Sequence, residues 1–166
     1  MNPGDLVRLT PSIWTFTVPG DPAPWGSYQR GGGRRNKQTA QWEVQSGYIA
    51  LQVYQAQIQA YARQYWGNVG PRKPIEGPVR LRLEFYIAWP KSAPKSSEDA
   101  KKRWLAKHYP KRKDVRNMAK AFEDALQGIC FVNDSQVVVA GPDTKAYTMD
   151  GVGYTIATVE DLAPDA

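Results

Sequence analysis

The stretch from Lys111 to Val139 constrains the fold most, because a helical pattern leads directly into a strand pattern there. Apolar residues at helical spacing predict a helix over about Val115–Gln127 with one buried face. The residues of that face are Met118, Ala121, Phe122, Ala125, Leu126 and Ile129. Gly128 follows and predicts the end of the helix. Such a helix needs a sheet on which its apolar face can be buried.

The opposite side of this helix is polar, and an acidic turn follows the helix. Asn117, Lys120 and Asp124 lie three and four residues apart and form a stripe along the helix. Asp114 sits just before the first turn on the same side. The turn around Asp134 precedes a β-branched run, which predicts a strand. If helix and strand pack together, we expect Asp134 to meet Asp114 across the stripe, with Lys120 nearby.

Converging carboxylates in a basic protein indicate a site for a hard divalent cation. Mg²⁺ prefers oxygen ligands and binds through one or two carboxylates plus substrate phosphate, and Mn²⁺ is a possible substitute. Asp114, Asp134 and Asp124 are the candidate ligands, and Lys120 is placed to orient a water or offset transition-state charge. The same spacing is more often found on a solvated helix face with minor ion pairs.

The motifs of this stretch also resemble a known family. Asp114-x-x-Asn117-x-x-Lys120, Asp124-Ala125-Leu126 and Asn133-Asp134-Ser135-Gln136-Val137 are similar in order and spacing to D-x-D-N-x-x-K, D-A-L and D-D-x-Q-V. That is the signature of the RusA family of Holliday junction resolvases. These are homodimeric, Mg²⁺-dependent endonucleases, often carried by prophages, that cut four-way DNA junctions.

The resemblance implies catalytic positions at Asp114, Lys120 and Asp134. It also implies a structure-selective endodeoxyribonuclease that acts on branched DNA in recombination and repair. Such an enzyme is a homodimer and needs no nucleotide cofactor. A P-loop is not expected, because the spacing of its signature is absent from the glycine-rich stretch near the N-terminus.

Two departures from the signature bear on this expectation. Arg116 stands where the family has the second Asp of D-x-D-N, and Asn133 stands where it often has the first Asp of D-D. Either Asp124, Glu123 or Glu84 completes the metal site, or metal binding is weakened. In the second case the chain is a non-catalytic protein that binds branched DNA.

Length and composition favour one domain over residues 1–166, with a flexible leader at 1–12 and a tail at 160–166. The N-terminus lacks the apolar segment of a signal peptide, and no apolar run is long enough to span a bilayer, so we expect a cytoplasmic protein without membrane contact. The single cysteine, Cys130, is predicted to be a buried small hydrophobe.

The net charge of +6 is unevenly distributed. Between Lys91 and Arg116 there are ten Lys or Arg residues against three acids. Such a basic region supplies sequence-independent attraction to phosphate, although a basic run is also compatible with a solubilising loop. A glycine-rich loop after the first strand adds four more cations. The predicted DNA-binding residues are Arg30, Arg34, Arg35, Lys37, Lys111, Arg112, Lys113, Arg116 and Asn117.

The remaining patterns complete a mixed α+β domain. We expect a single mixed or antiparallel sheet of about four strands with two main helices packed on it. The predicted elements are a strand at Ile13–Val18, a helix over Thr39–Trp66, a strand at Pro78–Ala88, a basic insertion at 90–113 with a short helix at Glu98–Lys107, and a last strand at Val152–Val159. The stripe of the long helix covers the sheet or, less favoured, forms a dimer seam.

Overall fold

A computed structural model describes residues 12–25, 33–35, 37–44, 46–149 and 151–163. The helices are α1 (Ser46–Asn68), α2 (Glu98–Leu105) and α3 (Val115–Leu126). The strands are β1 (Ile13–Pro19), β2 (Gly33–Arg35), β3 (Trp42–Val44), β4 (Val79–Ile87), β5 (Val137–Ala140), β6 (Thr144–Tyr147) and β7 (Tyr154–Asp161). A 3-10 turn covers Asp134–Gln136. None of the helices described is long and apolar enough to cross a membrane.

One mixed sheet of five strands forms the centre of the molecule, which confirms the predicted α+β class. β1, β7 and β4 are antiparallel neighbours in that order. β5 and β6 both pair with the free edge of β4, one after the other and parallel to it. The sheet has one strand more than predicted because these two short strands share a single edge. β2 and β3 form a separate two-stranded ribbon.

The helices cover one face of the sheet, and strict alternation along β4 sets that face. Every second residue from Val79 to Ile87 is buried, while the residues between them are partly or fully exposed. α1 and α3 pack over the buried face. Phe122 of α3 is fully buried and meets Phe85 of β4 and Tyr54 of α1 edge-on, with ring centroids 6.5 and 6.3 Å apart. The predicted apolar face of α3 therefore forms the centre of the core.

A polar residue interrupts the apolar stripe of α1 for a structural reason. Gln55 donates a hydrogen bond from Nε2 to the main-chain oxygen of Ala121, 3.0 Å away, and so joins α1 to α3. Beside it, the buried hydroxyls of Tyr54 and Thr155 lie 2.8 Å apart, which joins α1 to β7. Satisfied buried polar groups of this kind fix the position of the helices on the sheet.

Two predicted boundaries are wrong. The long helix begins at Ser46 rather than Thr39, because the aromatic and β-branched run Trp42–Val44 pairs with Gly33–Arg35 as a ribbon. The predicted tail at 160–166 begins too early, because Glu160 belongs to β7 and its carboxylate lies 2.7 Å from the guanidinium of Arg80. Most of the predicted leader, residues 1–11, lies outside the residues described.

The basic insertion at 90–113 contains the predicted short helix and is attached to the domain. Trp104 of α2 contacts Trp89, which follows β4, and Tyr147 of β6, with ring centroids 5.2 and 5.5 Å apart. Ser97 caps α2 by accepting a hydrogen bond from the backbone N–H of Ala100. An aromatic cluster thus holds the insertion against the end of the sheet. Cys130 is buried, as predicted.

Candidate active site

The candidate site begins at the N-terminus of α3, where Asp114 is the N-cap. Its Oδ1 accepts hydrogen bonds from the backbone N–H groups of Arg116 (2.8 Å) and Asn117 (3.2 Å). A cap of this kind stabilises a helix by about 1 kcal/mol. Asp114 therefore has a structural role that the sequence did not reveal.

Contacts from two directions hold this end of α3. Lys113 pairs with Asp21, and its main-chain oxygen accepts a hydrogen bond from Lys145 of β6, 2.9 Å away. On the other side, the backbone N–H of Trp25 donates to the main-chain oxygen of Asn117 over 2.9 Å. The segment that leads into the glycine-rich loop is thus attached directly to the first turn of α3.

Lys120 lies midway along the polar side of α3. Its ammonium is 3.9 Å from a carboxylate oxygen of Asp124 and 5.5 Å from the ring centroid of Trp25. The side chain is half exposed. A cation over an indole ring and beside a carboxylate is oriented while it stays accessible to solvent.

The turn that carries Asp134 is held by the residues on either side of it. Asn133 accepts a hydrogen bond from the N–H of Ser135 (2.9 Å) and donates its own N–H to Oε1 of Gln136 (2.8 Å). The amide of Gln136 also donates to the main-chain oxygens of Ile75 and Gly77. Asn133 caps this turn as an aspartate would, so the departure from the family signature at 133 does not disturb the local fold.

Asp134 lies beside the C-terminal half of α3 in a set of four half-buried carboxylates that we call the acidic groove. Its members are Glu123, Asp124, Asp134 and Asp143. Burial raises the pKa of Glu123, and the neighbouring charges of Asp134 and Asp124 raise it further. Burial also raises the pKa of Asp124, against the effect of Lys120.

Asp143 enters the groove from the link between β5 and β6. Its Oδ1 accepts a hydrogen bond from the backbone N–H of Leu83, 2.9 Å away, and so occupies the gap between the two short strands on the edge of β4. Burial raises the pKa of Asp143, and this hydrogen bond opposes the shift.

The chemistry of the acidic groove fits a hard cation, but a complete metal site is not preformed. Crowded carboxylates raise one another's pKa, and a bound cation relieves that repulsion. Within the described ranges, no three His, Cys, Asp or Glu side chains lie close enough together to hold a metal ion. Mg²⁺ commonly takes only one or two protein carboxylates and completes its shell with water and substrate phosphate.

The predicted set of metal ligands, Asp114, Asp134 and Asp124, cannot hold one ion. Asp114 and Asp124 lie at opposite ends of α3. A helix rises about 1.5 Å per residue, so they are about 15 Å apart along its axis. Ligands of one Mg²⁺ each lie about 2.1 Å from it. The sequence pattern predicted that both residues lie on one side of the helix, but it did not include their separation along the helix axis.

Glu84 is excluded as the replacement carboxylate. It alternates with the buried residues of β4 and therefore lies on the face of the sheet away from α3. Its carboxylate lies 3.9 Å from the guanidinium of Arg82 on the same face. Among the alternatives considered for the missing carboxylate, Glu123 and Asp124 lie in the groove.

The predicted DNA-binding residues fall into three groups. Lys111, Arg112, Arg116 and Asn117 are exposed around the start of α3, and Lys37 is exposed after β2. Lys113 is paired with Asp21 and is less available. Arg34 and Arg35 belong to β2, whose side chains are not described, and Arg30 lies outside the described residues.

Two site residues, Asp143 and Asp21, and the contacts of Gln136 were not predicted from the sequence. Asp143 follows a Gly-Pro turn and contacts Leu83, sixty positions away in the chain. Gln136 lies 61 and 59 positions from the two residues whose carbonyls it binds. Asp21 also follows a turn, and its partner Lys113 was counted as free to bind DNA. Such contacts have no local pattern from which they can be predicted.

An α+β domain with clustered carboxylates near the end of one helix and exposed cations at its start fits an enzyme that acts on nucleic-acid phosphates. The family model of endodeoxyribonuclease RusA matches residues 21–153, most of the chain. The chain therefore belongs to the RusA family, which consists of endodeoxyribonucleases that resolve Holliday junctions. A search of the curated proteins found no match.

We expect Glu123→Gln to stabilise the protein at pH 7 and to leave it unchanged at acidic pH, in chelator. Burial and the neighbouring carboxylates raise the pKa of Glu123 in the folded state, so this group begins to oppose folding above the ordinary glutamate pKa and does so fully above the raised pKa. The opposition disappears below the ordinary glutamate pKa, where both states are protonated. Because the group is half exposed, the gain should be on the order of 0.5 kcal/mol. Urea unfolding at both pH values measures it.

The exposed Glu76 provides the matched control, and Glu76→Gln should change stability at neither pH. A loss of stability at pH 7 in Glu123→Gln would show that this carboxylate is favourably paired in the folded protein.

Proposed function

We propose that this chain is a Mg²⁺-dependent endodeoxyribonuclease that hydrolyses phosphodiester bonds in four-way DNA junctions and acts as a homodimer. The observation that carries the proposal is the acidic groove beside α3, in which burial and, to a lesser extent, the neighbouring charge of Asp134 raise the pKa of both Glu123 and Asp124. Membership of the RusA family supports the junction as substrate. Exposed cations at the start of α3 support a DNA backbone as the bound group.

In this proposal Asp134 is the central ligand of the metal. The second carboxylate is Asp114, as the family signature implies, or Asp124, as the proximity in the groove implies; the length of α3 prevents both from binding the same ion. Mg²⁺, when bound, supplies a Lewis acid for the phosphoryl oxygen and lowers the pKa of a water. Mn²⁺ offers the same chemistry with the same ligands.

Lys120 is the group that we assign to the developing charge. Its ammonium is half exposed, and Asp124 and Trp25 orient it. A fixed cation beside the scissile phosphate stabilises a transition state in which negative charge accumulates on oxygen. Arg116 and Asn117 follow the cap in the first helical turn, where their exposed side chains and the helix dipole favour a phosphate.

The homodimer is part of the proposal because two equivalent sites suit two symmetry-related strands of a junction. α1 offers apolar surface for such a contact: Ile49 and Val53, one turn apart, are 49% and 61% exposed. We propose in addition that the protein acts in the cytoplasm and comes from a phage or prophage.

Cleavage of a labelled four-way junction, beside a linear duplex of the same sequence, tests the proposal. We expect paired nicks in the junction with Mg²⁺ or Mn²⁺, intact duplex, and no cleavage in chelator. Tight junction binding without cleavage in either metal would contradict the enzyme and support the second candidate function.

That second candidate is a non-catalytic protein that binds branched DNA. It is favoured by Arg116, an exposed cation at the position of a family carboxylate. Arg116→Asp separates the two functions. An acid in the first turn of α3 is compatible with the helix dipole, so folding should be preserved.

If the chain is an enzyme with a weakened metal site, Arg116→Asp should lower the Mg²⁺ concentration for half-maximal cleavage about tenfold, since one carboxylate–cation contact is worth about 1.4 kcal/mol or more. Arg116→Gln is the control, because it removes the cation without adding a ligand. Equal metal requirements in both variants would show that position 116 does not approach the ion.

A further inference from the structure

A cleft of about 540 Å³ opens where the end of β4, α2 and the segment at 108–113 meet. This volume is typical of sites that enclose a small organic group. The cleft has an aromatic wall and a basic rim, which the proposed cleavage chemistry does not use. The residues on which the argument depends are Trp104, His108, Tyr109, Tyr147, Lys111 and Arg112.

In the aromatic wall, Trp104 is packed against other rings and Tyr109 is exposed to solvent. Contacts with Trp89 and Tyr147 fix Trp104. His108 already stacks on Trp104, with ring centroids 4.2 Å apart and planes only 5° from parallel. Tyr109, the next residue, is 64% exposed at the mouth of the cleft. His108 and Tyr109 are therefore the exposed rings of the wall on which an incoming flat group can stack.

The rim carries positive charge that is not neutralised within the described part of the chain. Lys111 and Arg112 are exposed and form no salt bridge with the residues described there. The ammonium of Lys111 lies over the ring of Tyr109, 5.8 Å from its centroid, so one face of this ring already meets a cation. Lys113 is different, because its charge is satisfied by Asp21. A ligand that combines a flat ring with an anion matches this arrangement.

The cleft ends one residue before the candidate active site. Lys113 lines the cleft, and the next residue, Asp114, caps α3. A DNA strand bound at the start of α3 therefore passes the mouth of the cleft. In a paired duplex both faces of each base are covered, whereas an unpaired base exposes its faces for stacking.

We propose that this cleft binds one unpaired nucleotide of the DNA substrate, with the base stacked on Tyr109 and the aromatic wall and the adjacent phosphate on Lys111 and Arg112. The inference rests on the proposed function and makes it more specific. It assigns the basic insertion the recognition of a base displaced near the branch point. Stacking tolerates any base, so the site should show little sequence preference.

The test compares two four-way junctions and a linear duplex in chelator, which prevents cleavage by a Mg²⁺-dependent enzyme. One junction is fully paired, and the other carries a single unpaired 2-aminopurine beside the crossover. Fluorescence anisotropy measures affinity, and quenching of 2-aminopurine reports stacking of the base. Wild type should bind the junction with the unpaired base more tightly and quench its fluorescence.

Tyr109→Ala should weaken binding of the junction with the unpaired base about tenfold and relieve the quenching, with less than a twofold effect on the paired junction. Tyr109→Phe keeps the ring and should behave as wild type. Tyr61→Ala is the matched control, because Tyr61 is an exposed tyrosine, 40% accessible, on α1. Trp104 is unsuitable for substitution because it packs on two other rings.

The outcomes separate the inference from the function on which it rests. The nucleotide site is overturned if wild type binds the paired junction selectively but shows no preference for the unpaired base. It is also overturned if Tyr109→Ala loses affinity equally for both junctions. Neither result contradicts the proposed resolvase. Failure of wild type to prefer a paired junction over duplex overturns the resolvase. Quenching that persists in Tyr109→Ala places the base elsewhere and also overturns the inference.

Discussion

Asp134→Asn is expected to abolish junction cleavage, with a loss of a hundredfold or more, while junction binding persists. In the proposed site a bound cation contributes several kcal/mol to the transition state, and each 1.36 kcal/mol changes the rate tenfold. Asparagine retains the shape of the side chain but not the charge that holds the ion. Initial cleavage rates in Mg²⁺ and binding in chelator measure the two effects separately.

Two parallel variants identify the second carboxylate. Asp114→Asn keeps the helix cap, because asparagine is as good an N-cap as aspartate, and removes only the charge. Asp124→Asn removes the charge at the other end of α3. The variant that matches the loss in Asp134→Asn identifies the partner ligand.

The exposed acid Asp99, on α2, supplies the control, and Asp99→Asn should cleave as wild type. Full activity of Asp134→Asn with Mg²⁺ would exclude this carboxylate from catalysis and refute the proposed site.

Phe122→Ala should lower the free energy of unfolding by about 3–5 kcal/mol, as truncation of a buried phenylalanine commonly does. Phe122 is fully buried where α1, α3 and β4 meet, and it loses contacts with Phe85 and Tyr54 together. Small domains are stable by about 5–15 kcal/mol, so much of the stability would be lost. Urea unfolding followed by circular dichroism measures the change.

Val53→Ala is the control, because Val53 is 61% exposed on α1 and its truncation should change stability by less than about 0.5 kcal/mol. Phe122→Leu retains an apolar side chain and should cost less than Phe122→Ala. A change below about 1 kcal/mol in Phe122→Ala would show that α3 does not pack as described.

Local patterns determined the elements that surround the site. The helix at Val115–Leu126 and the strand at Val79–Ile87 were predicted nearly to the residue, because period and burial coincide in both. The start of α1 was predicted too early because β3 ends only two residues before the helix begins, and both elements contain aromatic residues. The family signature likewise follows the chain in order, and the matched family model covers it.

The order of residues along the chain was enough to predict the α+β class, the family and Asp114, Lys120 and Asp134 as candidate site residues. Which charges lie close together depends on how distant segments pack against one another. Asp143 joins the groove because its Oδ1 accepts a hydrogen bond from the backbone N–H of Leu83 at the edge of β4. Glu84 is excluded because it lies on the other face of β4. Distances between side chains depend on helix length and strand pairing, and residue spacing alone specifies neither.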